Sequence, residues 1–250
     1  MVRPQGYTPV CDELLCTLRA PVKNYELVLN RVEADLAAGR LRLGERLPGE
    51  RSLAEQLGIS RPSVREAVRV LEAMGIVRTS TGSGPESGAV IVAEPASPLT
   101  ALLRLHLATN HLPMGDIVQT RVLLESWTAR EAAHHAGGGD LVVAEELLDR
   151  MDDAGLTPEE FHLLDAEFHV ALSALAGNVL IAAVMSSLRT AIHGYVLAAV
   201  PNLADWDATA VGLRAEHRSI VAAIRAGAGD EAAALITTHI EGFYRAAQLR

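Results

Sequence analysis

The chain contains 250 residues, of which 49% are hydrophobic and 4% aromatic, and its formal net charge is −9 at pH 7. This length allows one large domain or two modest ones, and so few aromatic residues favour packed helices over a β-sandwich. No apolar run approaches the roughly 20 residues that cross a bilayer, and residues 1–10 are too polar for a signal peptide. The composition therefore predicts a soluble cytoplasmic protein without a membrane partner.

The basic charge is concentrated in one short segment of this acidic chain. Residues 1–95 hold 12 basic and 12 acidic side chains, whereas residues 96–250 hold 10 basic and 19 acidic ones. Within residues 39–78 there are eight arginines against five glutamates. Because arginine suits two-point contact with phosphates and guanine edges, this segment is a candidate for nucleic-acid contact.

The first part of the chain has the pattern of a winged helix-turn-helix domain over residues 22–93, preceded by a loose tail at 1–21. Apolar spacing predicts a helix over 25–36, and the alternating leucines of 41–47 predict a short strand. Two short helices joined by the letters LGIS, and then two strands around a Gly/Ser-rich loop, complete the motif. We predict these elements at Glu50–Leu57, Arg61–Met74, Ile76–Thr79 and Ala89–Val92, with Ser60 as the N-cap of the second helix.

The rest of the chain has a helical pattern throughout. Residues 94–98 carry two prolines and are expected to be a linker. Residues 99–248 then predict an all-α bundle of about seven helices, so that the fold class is mainly α. Glycine and proline breaks place these helices near 98–109, 115–136, 140–153, 158–176, 178–200, 208–226 and 230–247.

Candidate DNA contacts lie at the start of the second short helix, which in a helix-turn-helix enters the major groove. Arg61 and Arg65 are four residues apart and share one face, and Ser63 can bond a phosphate. Arg51 is placed to reach the DNA backbone, and Gly82 lets the wing approach the minor groove. The alternative is a solvated arginine face, which the capped helix and the following Gly-rich hairpin make less favoured.

The letters LPGERSLAEQLGISRPSVREAVRVLEAMGIVRTSTGSG resemble the GntR family of bacterial regulators. The resemblance covers about 55 residues and implies that the counterparts of Arg51, Arg61, Arg65 and Gly82 contact operator DNA. Two features depart from the family pattern. Gly49 replaces the usual hydroxyl-bearing N-cap residue, and residues 85–88 lengthen the wing.

Four residues of the helical part have side chains that suit a metal site. Asp165 and His169 are four residues apart on one predicted helix, and His217 and His239 lie on the last two. Three imidazoles and a carboxylate suit zinc or another first-row divalent metal, with nickel and manganese as alternatives. The spacing alone leaves open that these are ordinary core or surface residues.

Residues 98–245 resemble the FCD ligand-binding domain of the FadR-like GntR subfamily. This resemblance implies that Asp165, His169, His217 and His239 hold a cation that binds the carboxylate of an organic-acid effector. It also implies an effector contact at Arg121, for which a salt bridge to Glu125 is the alternative. Two further effector candidates are Asn178, for which a helix-boundary role is the alternative, and His193.

Together these features predict a homodimeric DNA-binding regulator, of repressor type, whose operator affinity is controlled by a small organic acid at a divalent metal. A metalloenzyme is the first rival, but it needs a general base beside the metal. Glu167 lies between the first two ligands in sequence and Glu216 adjoins His217, and both are expected to point away from the metal. A second rival is a purely structural metal in a domain that serves dimerisation.

Overall fold

The computed structural model describes residues 23–80, 88–109, 112–135 and 141–249. The chain divides into two compact units, Met1–Glu94 and Pro95–Arg250. The predicted tail at 1–21 and the tip of the wing, including Gly82, lie outside the described residues. The described residues are mainly helical, which confirms the predicted fold class.

The described residues of the first unit form three helices and a two-stranded antiparallel sheet. They are α1 (Asn24–Ala37), α2 (Glu50–Leu57), α3 (Arg61–Ala73), β1 (Val77–Ser80) and β2 (Gly88–Ile91). The strands pair in antiparallel register, with Val77 opposite Ile91 and Ser80 opposite Gly88. Helix α3 packs against both α1 and α2, as the second helix of a helix-turn-helix does.

Local signals position α3. The Ser60 hydroxyl accepts a hydrogen bond from the Ser63 N–H at 3.2 Å and thereby caps the helix. Gly58 adopts a φ of 65°, the left-handed conformation that lets the chain turn sharply after α2. The apolar face of α3 is buried in a core with residues of α1, α2 and both strands: Val28, Val32, Leu53, Val64, Ala67, Leu71, Val77 and Ile91.

The short strand predicted over residues 41–47 is wrong. This segment runs beside β2, and Leu47 N–H donates to Ala89 O while Ile91 N–H donates to Glu45 O. The segment pairs with β2 through one isolated antiparallel bridge, between Arg46 and Val90. Gly44, with a φ of 83°, bends the chain here, so that the alternating leucines do not continue as a ladder.

Seven α-helices are described in the second unit, the number that the sequence predicts. They are α4 (Ala96–Ala108), α5 (Met114–His135), α6 (Val142–Met151), α7 (Pro158–Leu175), α8 (Val179–Ala199), α9 (Trp206–Arg225) and α10 (Gly229–Ala246). A 3₁₀ turn, Val200–Asn202, follows α8. Thr157 and Glu160 form a reciprocal capping box at the start of α7.

Helix α4 begins inside the segment that we expected to be a linker. It starts at Ala96, so Pro98 occupies its first turn. A proline is tolerated there because the first N–H groups of a helix have no intrahelical partner. The non-helical connection is therefore shorter than residues 94–98.

Helix α5 packs against α7, α9 and α10, and α8 packs against α4 and α7. By length and mean hydropathy alone, the segment Val179–Asn202 could cross a membrane, so the expectation that no such run exists was wrong. Only 33% of its apolar window is buried in the structure, and one such helix is weak evidence for a membrane span. The buried polar residues cluster on the inward faces of five of these helices: Arg121, Glu125, His162, Asp165, His169, Arg189, His217 and His239.

Candidate DNA-reading surface and candidate metal centre

The arginines at the head of α3 lie on the surface and face the start of α2. The side chains of Arg61 and Arg65 are 61% and 53% exposed. Arg65 donates from Nε and Nη2 to the two carboxylate oxygens of Glu50, at 3.3 and 3.0 Å. Arg61 Nη2 lies 4.0 Å from the same carboxylate. Glu50 thus holds both guanidinium groups at one end of the helix while leaving them accessible.

The other described DNA candidates lie in α2 and at the start of α3. Arg51 donates from Nε to Glu55 at 2.9 Å within α2 and remains exposed. The Ser63 and Ser60 hydroxyls lie 2.9 Å apart at the start of α3. The hydrogen bond from Arg65 lowers the pKa of Glu50, so this carboxylate stays charged. Four of the five predicted DNA-contact residues therefore lie on α2 or at the start of α3, and Gly82 lies outside the described residues.

The four predicted metal ligands converge in the middle of the second unit. Each offers one donor atom, and these atoms all lie within 4.8 Å of one another. Nε2 of His239 lies 3.2 Å from Nε2 of both His169 and His217. Oδ1 of Asp165 lies 3.1 Å from Nε2 of His217 and 3.6 Å from Nε2 of His169. Helices α7, α9 and α10 thus aim three ring nitrogens and one carboxylate oxygen at a single point.

The donor chemistry fits a divalent cation. A neutral imidazole carries one N–H, so three buried Nε2 atoms at this spacing cannot all be satisfied by one another. Burial lowers the pKa of His217 and of His239, which favours the neutral form that binds metals. Burial would raise the pKa of Asp165, but Arg189 and His169 outweigh it and hold that pKa well below its usual range. A cation at this point would give all four atoms a partner.

A second set of charged side chains contacts the candidate ligands: Glu125, Glu216 and Arg189. Oε2 of Glu125 lies 2.6 Å from Nδ1 of His169. Oε2 of Glu216 lies 2.7 Å from Nδ1 of His239. Arg189 Nη2 lies 3.3 Å from Oδ2 of Asp165. Such partners orient metal ligands and select the histidine tautomer.

Arg121 is tied to this second set. It is buried, and its Nε donates to Oε1 of Glu125 at 2.7 Å, so the salt bridge that we weighed as an alternative is present. Its Nη1 also donates to the Tyr244 hydroxyl at 2.9 Å. Glu125 therefore lies between Arg121 on one side and the ligand His169 on the other.

A small void adjoins the ligands. It measures about 20 Å³, room for one or two water molecules. Its lining combines polar residues with apolar ones, and the polar set is Arg121, His162, Asp165, Arg189, His239 and Tyr244. Asn178 and His193 lie elsewhere. The Asn178 side chain caps α8 by accepting from the Ile181 N–H, and His193 lines a separate surface groove between α7 and α8.

Sequence reasoning missed several residues of this site. Arg189 and Tyr244 were not considered, and His162 was not selected as a lining residue. Glu216 was weighed as a catalytic base, whereas it contacts His239. One signal was available for Arg189: it is the one charged residue of Lys, Arg, Asp or Glu type in the apolar helix α8, and arginine is rarely buried without a partner.

A helix-turn-helix with exposed arginines, joined to a helical bundle with a buried ligand cluster, defines a DNA-binding transcription regulator. The comparisons identify the family. The gntR family of bacterial regulatory proteins matches residues 24–85, and the FCD domain matches residues 116–242. The chain therefore belongs to the GntR family and carries a C-terminal FCD domain, and this is a family of regulators rather than enzymes.

Named relatives agree with this assignment. The chain is 32% identical over 183 residues to the Glc operon transcriptional activator of Escherichia coli K12, covering 71% of this chain and 70% of the relative. It is 28% identical to the transcriptional repressor NanR of Edwardsiella tarda, covering 88% and 83%. Among solved structures, Streptococcus agalactiae GntR superposes with a TM-score of 0.66 at 26% identity, covering 89% of this chain and 99% of that one.

Proposed function

We propose that this regulator is a cytoplasmic homodimeric repressor whose operator affinity is controlled by a small carboxylate bound at a divalent metal. The observation that carries the proposal is the convergence of Asp165, His169, His217 and His239 beside a void lined by the buried Arg121. A charged cluster of this kind is costly to bury unless it binds something.

The DNA-reading part of the proposal rests on the head of α3. Arg61, Ser63 and Arg65 would contact base edges and phosphates, and Arg51 would contact the backbone from α2. Two copies of the chain would place two such helices on successive half-sites of a pseudo-palindromic operator. For the wing we propose a minor-groove contact at Gly82, on the family pattern alone.

Zinc is the cation that we propose, with nickel and manganese as alternatives. Three imidazole nitrogens and one carboxylate oxygen are donors that zinc accepts. When bound, the cation supplies a positive charge and open coordination positions for a carboxylate. Arg121 would contact the same carboxylate, since its guanidinium lines the void. We do not assign Asn178 or His193 to this site, because Asn178 caps α8 and His193 lines a separate groove.

The size of the void gives the proposal its mechanism of control. Because about 20 Å³ does not accommodate an organic acid, binding requires the walls to move apart. These walls come from α5, α7, α8, α9 and α10. An effector that favours the expanded arrangement shifts the domain toward it, and typical couplings of about 1–3 kcal/mol change affinity roughly 5- to 150-fold. For repression we rely on NanR, a transcriptional repressor that aligns over 88% of this chain at 28% identity; the Glc operon activator aligns over 71% at 32% identity.

A thermal-shift panel of small organic acids on the full chain tests the proposal. The protein is measured once loaded with zinc and once after treatment with a chelator. We expect at least one acid to raise the unfolding midpoint of the loaded protein alone, because an acid at a hundred times its Kd stabilises the folded state by about 2.7 kcal/mol. If chelation lowers the midpoint but no acid changes it, the metal is structural and the proposal fails.

DNA release is the second part of the test. A fluorescent duplex selected by the protein from a random pool serves as the operator. The acid that stabilises the loaded protein should weaken binding to this duplex. Tighter binding in the presence of the acid would contradict a repressor that is released by its effector.

A further inference from the structure

The buried charges around the candidate metal centre cancel one another. Arg121 and Arg189 are both buried, and guanidinium groups stay protonated in proteins. Glu125 lies 2.7 Å from Arg121, and Asp165 lies 3.3 Å from Arg189. Both carboxylates are therefore charged, and the four groups sum to zero.

A divalent cation adds two positive charges to this neutral set. The histidines contribute no charge, because imidazole binds metals in its neutral form. Glu216 is the further carboxylate in contact with a ligand, and its side chain is 47% exposed, so water solvates its charge. A buried positive charge without a counter-charge is strongly unfavourable. A ligand in the void that balances the two charges of the cation therefore carries two negative charges.

Two polar atoms of the void walls lack a partner among the described residues. They are Nε of Arg189 and Nε2 of His162, and both are buried. The Arg189 atom is a donor, and the His162 atom is one in the tautomer that carries its proton on Nε2. Unpaired buried donors are rare in folded proteins, and a ligand oxygen would satisfy both. Neither donor belongs to one of the four candidate metal ligands.

We infer that the effector is a short-chain dicarboxylate, with one carboxylate at the metal and Arg121 and the other at Arg189 and His162. This inference rests on the proposed function and names its ligand class. A short chain follows from the size of the void, which is about 20 Å³ before any wall moves. A monocarboxylate would leave one positive charge uncompensated and the two donors unpaired.

Titration calorimetry with acids of equal carbon count tests the ligand class. The zinc-loaded full chain is titrated with malonate, propionate and lactate, and then with succinate and butyrate. The zinc content is measured after each titration, because malonate also chelates metals. We expect the dicarboxylate of at least one set to bind with a Kd at least about tenfold below that of its monocarboxylates.

The outcomes separate the two proposals. If propionate or lactate binds as tightly as malonate, and butyrate as tightly as succinate, the inference is overturned while the carboxylate sensor stands. If none of the acids binds the loaded protein, the proposed function fails together with the inference.

Variants of Arg189 and His162, where we place the second carboxylate, provide an independent measurement. Arg189→Lys keeps the charge but removes the Nε donor, and His162→Gln changes the second donor. Arg214→Lys is the matched control, because Arg214 bonds the carbonyl oxygens of Met151 and Asp153. At zinc saturation, the first two variants should lose at least about tenfold in affinity for the dicarboxylate and little for the monocarboxylate. Equal losses for both acids would overturn the assignment.

Discussion

Glu50 and Arg65 form a two-point ion pair that joins the two helices of the helix-turn-helix. Both carboxylate oxygens accept from the guanidinium, at 3.3 and 3.0 Å, although the residues are 15 positions apart. The pair lies at the surface, with the Arg65 side chain 53% exposed. Glu50 therefore holds Arg65, the arginine that we propose reads DNA, without removing it from solvent.

Arg65→Ala is expected to abolish most operator-specific binding. An arginine that bonds a guanine edge discriminates against the wrong base, and its loss should weaken operator binding about 5- to 150-fold. Arg69→Ala is the matched control, since Arg69 lies one turn further along α3 and is also exposed. Fluorescence anisotropy at two salt concentrations measures both variants. If the Arg65 variant binds the operator with wild-type affinity, the proposal that α3 enters the major groove is wrong.

Glu50→Gln should reduce discrimination more than affinity. Removing a negative charge near the phosphates favours every DNA sequence alike, whereas Arg65 loses the carboxylate that orients it. We expect the ratio of operator to non-specific affinity to fall, with non-specific affinity unchanged or higher. Glu66→Gln removes an equal charge from an exposed position on α3. An unchanged ratio in the Glu50 variant would show that the pair has no role in DNA reading.

Glu216→Gln should weaken zinc binding while preserving the fold. The Glu216 carboxylate lies 2.7 Å from Nδ1 of His239 and favours the tautomer that leaves Nε2 free for the metal. Loss of such a partner typically costs about 10- to 100-fold in metal affinity. Competition with a chromogenic chelator measures the change, and Glu241→Gln on the exposed side of α10 is the control. Equal zinc affinity in both variants would contradict an orienting role.

Arg121→Met should strongly destabilise the helical unit. It leaves the Glu125 carboxylate buried without its main partner, and breaking one side of a buried ion pair costs about 3–5 kcal/mol. The double variant Arg121→Met/Glu125→Gln removes the unpaired charge and should recover part of this loss. Urea unfolding of the metal-free protein gives the free energies. A double variant that is no more stable than the single one would show that the ion pair is not the cause.

Local sequence signals predicted most of the fold because they act within one or two helical turns. The caps at Ser60 and Thr157 and the glycine stops placed helix boundaries within a few residues. The prediction of a strand at 41–47 was wrong because alternating leucines also occur in a bent segment such as this one beside β2. The bend lies at Gly44, whose positive φ interrupts the extended conformation.

The site was predictable only in part, for a related reason. Asp165 and His169 share a helix face, so their proximity follows from the helical repeat. The partners of the ligands come from other helices: Glu125 reaches His169 from α5, and Arg189 reaches Asp165 from α8. Those contacts depend on how the helices pack, which no local spacing encodes.

The buried His162 should give the metal-free protein a measurable acid sensitivity. Burial lowers the pKa of His162 below its ordinary value of 6.5, against a smaller opposing effect of Asp165. Below about pH 6.5 the unfolded chain therefore takes up a proton that the folded chain does not, and stability falls as the pH falls. Above that pH neither state binds the proton, and the contribution vanishes.

His162→Phe isolates this contribution from that of the other histidines. The ring lies among Phe161, Trp206 and Phe243, so phenylalanine keeps an aromatic group there without a titrating nitrogen. Between pH 6.5 and 5, the unfolding free energy of the variant should fall less steeply, by up to about 1.4 kcal/mol per pH unit. Urea unfolding in the presence of a chelator measures both slopes. If the slopes are equal, His162 takes up its proton in the folded protein, and the void beside it is open to water.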